Sequence, residues 1–140
     1  TEEFLAVIVT RTSTDGQTEY GLIQRPIDGL LGGLWSLIMS KRIEHGTEVS
    51  HEEFQAWFMT MDLGESRDDI LKIKHIFTHK EWLVWFKVLS INDLASSISL
   101  PKEIHWKPLE TLDQLAIGGP SLKALILADV PLIARRGSGR

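Results

Sequence analysis

Apolar and β-branched residues fill Phe4–Thr10 almost without a break, the pattern of a buried strand. Ser13-Thr14-Asp15-Gly16 supplies turn chemistry, with Asp-Gly a strong hairpin signal, and Tyr20–Gln24 returns as a second strand. Trp35–Ser40 reads as a third strand. A helix is predicted from Ser50: the serine caps the first turn, and Glu53, three residues on, completes a capping box. Phe54, Trp57, Phe58 and Met61 then recur at helical spacing as one apolar stripe, and Gly64 ends the helix. Leu71–Phe77 is a strand in which Leu71 and Ile73 alternate with Lys72 and Lys74. Trp82–Ser90 is longer and nearly all apolar, as in a central strand. The short link Thr78–Glu81 makes these two a hairpin. Asn92–Ser99 fits a loop and a short helix equally. His105–Lys107 reads as a short strand and Pro108–Leu115 as a helical turn or short helix. Gly118-Gly119-Pro120 is a break, and Ser121–Asp129 is a last helix. Strands, a helix, more strands and then helices predict an α+β fold, a mixed sheet flanked by helices.

Composition narrows this picture. The chain has 140 residues, 43% of them hydrophobic and 24% charged, which fits one globular domain with a real core. That domain is expected over residues 1–130, with residues 131–140, ending Arg135-Arg136-Gly137-Ser138-Gly139-Arg140, as a disordered tail. Five Trp and five Phe supply large packing units, most of them structural. A net charge of −4 and a pI of about 5.7 argue against a strong independent grip on DNA. They leave room for a module that reads a base while another domain holds the phosphates. The absence of cysteine excludes disulfides, thiolate metal sites and cysteine nucleophiles. No apolar run reaches the ~18 residues of a membrane span, and no signal peptide is read at the start. Thr1 in place of Met points to a fragment or a processed product.

The richest stretch is Gln24–Trp35, QRPIDGLLGGLW. Pro26 fixes its own φ and removes a backbone donor. Gly29, Gly32 and Gly33 permit backbone angles that other residues resist, so the segment reads as a shaped loop between two strands. Its counterpart downstream is the polar cluster His75-Ile76-Phe77-Thr78-His79 at the end of another strand.

The element order resembles the Nudix hydrolase fold, whose enzymes bind divalent metal through helix carboxylates in the signature G-x5-E-x7-R-E-U-x-E-E-x-G-U, U being a bulky apolar residue. Metal-assisted attack on a pyrophosphate needs such clustered hard oxygen ligands. With the last glycine of the signature on Gly64, the Arg-Glu pair falls on Trp57-Phe58 and the Glu-Glu pair on Met61-Asp62. Only Asp62 remains acidic, and a lone aspartate does not assemble that site. Glu52 and Glu53 read as cap and helix-dipole partners rather than as metal ligands. No metal site is expected.

QRPIDGLLGGLW, then KHIFTH before an apolar strand, then HWKPLETLDQLAI and GPSLKALI, resemble the C-terminal, Nudix-like domain of adenine DNA glycosylases of the MutY family over most of Phe4–Leu127. The family's R-P-x-x-G-L-L-x-G-L-W loop is matched by Arg25, Pro26, Gly29, Leu30, Leu31, Gly33, Leu34 and Trp35. Its Phe-Ser-His loop is matched by Phe77, Thr78 and His79, and its W-x-x-x-x-E-L segment corresponds loosely to Trp106 through Leu112. The resemblance implies a non-catalytic domain that recognises 8-oxoguanine paired with adenine in duplex DNA, in base excision repair, while an absent helical domain excises the adenine. It implies no cofactor in this chain, since the family's iron–sulfur cluster lies in that other domain. It leaves the compartment open (the nucleus, and also a mitochondrion, for a eukaryotic source; the cytoplasm for a bacterial one) and implies no membrane, with repair or checkpoint proteins as further partners.

Lesion- and DNA-binding residues implied by the resemblance are Phe77, Thr78, His79, Lys80 and Arg25. Thr78 stands where the family has the serine that contacts the lesion, so its hydroxyl survives with an added methyl. His79 orients the loop or contacts lesion or phosphate; alternatively Thr78 and His79 only satisfy a turn. Phe77 reads as core before contact, and Arg25 equally as a loop anchor or a phosphate contact. Lys41, Arg42, Lys72, Lys74 and Lys80 form a modest basic edge or a solvated surface. His75 is read on the polar side of its strand, with no role. Two other functions remain open on residues alone: a Nudix pyrophosphatase acting on a nucleotide, and a Nudix-like protein-interaction module.

Overall fold

The N-terminal strand β1 (Glu2–Thr12) organises the fold, because it has a partner on each side and an apolar core on each face. The computed structural model describes residues 1–29, 31–58, 70–94 and 100–132. In chain order the remaining elements are β2 (Thr18–Gln24), β3 (Trp35–Ser36), β4 (Ile38–Lys41), α1 (His51–Phe58), β5 (Leu71–Ile76) and β6 (Glu81–Ser90). They are followed by β7 (His105–Pro108), α2 (Leu109–Leu112) and α3 (Gly119–Leu127). The strands run β3-β2-β1-β6-β5, with β4 also on β1 and β7 also on β2. β1 and β6 pair in parallel from Glu2↔Trp82 to Thr10↔Ser90, and the other pairs are antiparallel. The sheet is therefore mixed and flanked by helices, the α+β architecture that the pattern of elements predicts.

The period-2 alternation of the strands sorts their side chains to two faces. Ala6, Ile8, Leu22, Val84 and Phe86 join Leu112 of α2 and Ala124 and Leu125 of α3 in one core. Leu5, Val7, Val9, Trp85 and Leu89 join Phe54 and Phe58 of α1 in the other. Burial on both faces explains why β1 and β6 read as nearly continuous apolar runs. Lys87 is the exception in β6; it is buried, and its Nζ lies 2.8 Å from His51 Nδ1 at the start of α1.

Several boundaries differ from the sequence reading for identifiable reasons. The predicted strand Trp35–Ser40 is two strands, β3 on β2 and β4 on β1. The break is at Leu37, whose amide donates to Ser121 Oγ (3.1 Å) instead of joining a ladder. α3 begins at Gly119, so Pro120 lies inside its first turn, where its missing N–H is no loss. Ile91–Asp93 is a single 3-10 turn, while residues 95–99, Met61 and Gly64 lie outside the described residues. Val130 and Leu132 are buried, so packed chain extends to residue 132, and residues 133–140 lie outside the description.

Ser50 caps α1 as expected, its Oγ accepting from the Glu53 amide at 3.2 Å. The Glu53 carboxylate does not close the capping box. It turns to Arg42, which donates from Nε (2.8 Å) and Nη2 (3.0 Å). Arg42 also donates from Nη1 to Glu3 (2.6 Å) and to the Thr47 carbonyl (2.8 Å). Arg42 is thus buried and fully engaged, not part of a basic edge. It ties β1, the segment after β4 and α1 together. Burial acts to raise the Glu3 carboxyl, but the Gly46 amide, Arg42 and Trp85 outweigh it and hold its pKa below the ordinary value.

Removing one partner strands the other charge. Arg42→Ala is expected to destabilise the fold by about 3–5 kcal/mol in urea unfolding. A lowered carboxyl pKa means stability that is present above the ordinary glutamate value of 4.5 and drains as the pH falls through the lowered one. The acid limb of the wild-type stability curve should therefore flatten in the Arg42→Ala protein; an unchanged limb would show that Glu3 is not held by this network.

Candidate nucleic-acid interface

The pairing register gathers four chain ends at one end of the sheet. Glu2 of β1 stands beside Trp82 of β6, the β5–β6 hairpin turns there, and β2 and β4 both run antiparallel to β1 towards it. The glycine-rich loop and the Phe77–Lys80 turn both emerge at this end.

The glycine-rich loop is closed by its own backbone. Arg25 N donates to Leu34 O (2.9 Å), and Gly33 N is shared between the carbonyls of Arg25 and Pro26 (3.1 Å each). Gln24 Nε2 adds a bond to Gly33 O (3.0 Å). Gly29 (φ 97°) and Gly33 (φ 77°) occupy the left-handed region, and so does Leu31 (φ 61°), which no glycine rule would have found. Gly32 is required for a different reason: a Cβ there would collide with the carbonyl of Ile27. Leu30 lies outside the described residues. At the loop exit, Trp35 N donates to Ala116 O (2.9 Å) and Gly118 N to Trp35 O (3.0 Å), fastening the loop to the entry of α3.

The second loop is a tight turn in which Phe77 N donates to Lys80 O at 2.7 Å. Phe77 points inward and is half-buried against the core, its ring edge-on to Trp82 (centroids 5.2 Å apart). Thr78, His79 and Lys80 are exposed. They line an open depression of about 670 Å³ together with Thr1, Glu2, Ile76 and Glu81. Its charges are largely paired: Glu2 lies 3.0 Å from Lys41 and 3.7 Å from Lys80, and Lys74 lies 3.8 Å from Glu81. The hydrogen bond from Lys41 leads in lowering the Glu2 pKa. Lys72 is turned away over the Trp85 ring, at 4.8 Å.

Arg25 joins the two loops. Its backbone closes the first, and its guanidinium lies 5.7 Å from the Trp82 ring that Phe77 also touches. Its Nε is buried with no hydrogen-bond partner among the described residues, so the loop is anchored by the Arg25 backbone rather than by its side chain. Phe77, Thr78, His79 and Lys80 are consecutive on one turn, and Arg25 reaches them through Trp82.

Two groups escaped the sequence reading. His75 is not on the polar side of β5: Leu71, Ile73 and His75 share one face, packed towards α3, while Lys72, Lys74 and Ile76 are exposed. The alternation in Leu-Lys-Ile-Lys-His-Ile carried that signal. Trp82, read only as a core residue, is the ring on which Phe4 (4.2 Å), Phe77 and Arg25 converge.

The residues in the hydrolase register behave as packing groups. Phe58 is buried and Trp57 half-buried in the α1 core, and Asp62 lies outside the described residues. Glu53 is held by Arg42. Among the described residues, no group of three or more histidine and carboxylate side chains is placed to hold a metal ion. On α1 the carboxylates are Glu52, exposed in the first turn, and Glu53, which Arg42 holds.

The chain belongs to the NUDIX domain family, whose sequence profile matches residues 7–127. Its fold is that of the C-terminal domain of mouse MUTYH, solved in complex with human PCNA; that likeness covers 92% of this chain and 88% of that one at 22% identity, with a TM-score of 0.64. The Nudix hydrolase RenU of M. smegmatis has the same fold (15% identity, 94% and 89% covered, TM-score 0.56). So does a C. elegans Ap4A hydrolase (14% identity, 100% of both chains, TM-score 0.53). No curated protein matches the chain. At these identities the likenesses establish the fold, which is shared by the MUTYH domain and by hydrolases alike.

Backbone atoms do not give way as a flexible side chain does. Gly32→Ala should therefore destabilise the chain by about 1–3 kcal/mol and speed amide exchange in residues 25–35; unaltered exchange would show that the loop has slack.

Proposed function

We propose that this chain is the lesion-reading module of an adenine DNA glycosylase of the MutY type, recognising 8-oxoguanine opposite adenine. The supporting observation is an exposed hydroxyl, that of Thr78, at the tip of a tight turn whose Phe77 is packed on the Trp82 that Arg25 overlies. The match of both loops to the MutY pattern, and the fold shared with the MUTYH domain, support the same reading.

The chemistry follows from the lesion. Guanine presents N7 as an acceptor in the major groove. Oxidation converts N7 to an N–H donor and adds a carbonyl at C8. The Thr78 hydroxyl accepts from the first or donates to the second, and guanine does not offer that pair. The methyl of threonine restricts χ1, so the hydroxyl samples fewer directions than that of serine. His79 and Lys80 flank this contact as phosphate-facing groups, while Phe77 and Arg25 hold the turn and loop in place. In this reading the glycosidic chemistry belongs to the separate catalytic domain, and this chain needs no cofactor.

In the full-length enzyme, Thr78→Ala should cut the preference for 8-oxoguanine over guanine by about 1–3 kcal/mol, roughly fivefold to a hundredfold or more. An unchanged preference would remove the assignment. The hydrolase alternative predicts release of phosphate or pyrophosphate from nucleoside diphosphates or triphosphates with Mg²⁺. We expect none, and turnover by the purified chain would overturn the proposal.

One observation favours a second role alongside the first. Ile27 (88% exposed), Ile43 (93%) and Ile76 (68%) are the most exposed large apolar residues among those described; Ile76 ends β5, and Ile27 and Ile43 lie in the segments that follow β2 and β4. Exposed apolar side chains of this kind suit a protein partner, as the MUTYH domain has in PCNA. Titration calorimetry of the chain and its Ile43→Asp variant against PCNA tests this reading, which falls if the wild-type chain gives no heat of binding.

A further inference from the structure

The lesion reading leaves His75, half-buried beside the Thr78 turn, without a task. Its ring stands on the N-terminus of α3 so closely that a Cβ on Gly119 would collide with its Cε1 and crowd both ring nitrogens. On the other side it meets Phe77 edge-on, with centroids 4.6 Å apart and planes at 67°. Phe77 in turn meets Trp82, on which Arg25 lies. The result is an unbroken column from α3 through His75, Phe77 and Trp82 to the glycine-rich loop, and the turn bearing Thr78 is hung from its middle. His75 Nδ1 is buried and has no hydrogen-bond partner among the described residues. Packing, not hydrogen bonding at that atom, holds the ring.

We propose that the neutral imidazole of His75 is the positioning residue of the Thr78 turn, and that its protonation uncouples the turn from α3. The charged form is disfavoured from every side. Burial comes first, followed by the Lys123 ammonium on α3, and both lower its pKa. Lys123 is held near by its bond to Lys74 O (3.2 Å). The positive end of the α3 dipole lies at Gly119. β6 faces the ring with the uncharged Trp82, its cross-strand partner. Of the carboxylates at this end of the sheet, Glu81 is on the neighbouring pair of the ladder and lies 3.8 Å from Lys74, and Glu2, across Trp82, lies 3.0 Å from Lys41. Arg25 adds a further positive charge across Trp82. A proton on His75 therefore meets like charge and, at Nδ1, no acceptor among the described residues, and the ring relieves it by swinging out to water, releasing Phe77.

The structural part stands without the lesion reading; the functional part rests on it. The first test is the chain itself with the exposed His79 replaced, His79→Gln, so that His75 is the only histidine at the turn. In proton–nitrogen spectra between pH 8 and pH 5, the Phe77 and Thr78 amides are expected to shift with the same midpoint as the His75 ring. That midpoint should lie below the ordinary 6.5. Amides that stay still through the His75 titration would overturn the proposal. In the full-length enzyme, the ratio of activity opposite 8-oxoguanine to that opposite guanine is expected to fall several-fold as His75 protonates. In His75→Phe, which keeps the ring without the proton, the ratio should not follow pH. Moving amides with a flat ratio would uphold the positioning role and count against the lesion reading alone.

Discussion

The parallel pairing of β1 with β6 is the constraint from which the rest of the structure follows. A parallel pair cannot be made by a hairpin, so chain from distant parts of the sequence has to be brought into register. Here the register runs for nine residues and places Glu2 opposite Trp82. That single alignment puts the start of the chain, the β5–β6 turn and the ends of β2 and β4 at one edge. It also buries both faces of β1 and β6, so helices must cover the sheet on each side. A slip by one residue would exchange the two cores and send Trp82 to the α1 side. The neighbourhood of the Thr78 turn is therefore fixed by the strongest part of the fold rather than by the loops themselves.

The two faces divide the work. On the α1 side, where a Nudix hydrolase keeps its magnesium ligands, this chain has aromatic packing from Trp57 and Phe58 and a buried ion network around Arg42. That network is structural: the Glu3 and Glu53 carboxylates are both held by the Arg42 guanidinium. The sheet end keeps its lysines mostly paired with glutamates. Such a surface contributes little phosphate neutralisation and therefore little affinity of its own. This agrees with the acidic balance of the whole chain.

The sheet was legible from sequence because its signal is periodic. β1, β2, β5 and β6 announced themselves by apolar runs, alternation and the turn residues between them, and Ser50 announced the start of α1. What escaped was everything decided across the fold. The split at Leu37 depends on Ser121, 84 residues away. The burial of Arg42 depends on Glu3 and Glu53, and no local pattern distinguishes it from its exposed neighbour Lys41. At the candidate site, the motif pointed to a turn and a loop, while His75 and Trp82, on which the turn packs, carry no motif. Gly119 shows the same limit: it reads as a helix breaker, yet it lies at the start of the helix and its lack of a side chain makes room for an imidazole.

That support shell bears directly on how a single hydroxyl can discriminate. A contact worth about 1–3 kcal/mol survives only if the group making it is ordered beforehand, since freezing a mobile side chain and turn consumes a comparable amount. The turn is closed by the Phe77–Lys80 hydrogen bond and seated on Trp82, so its backbone is fixed before any ligand arrives. A serine at its tip would still have three χ1 wells to choose from, whereas threonine narrows the choice. Under the proposed function, the exchange of serine for threonine is a trade within one mechanism: the methyl would take room beside the base, and in return less entropy would be lost when the hydroxyl engages. Which side of that trade prevails is decided by the space next to Thr78. The structure leaves that residue exposed at the rim of an open depression, where a methyl meets solvent rather than a wall.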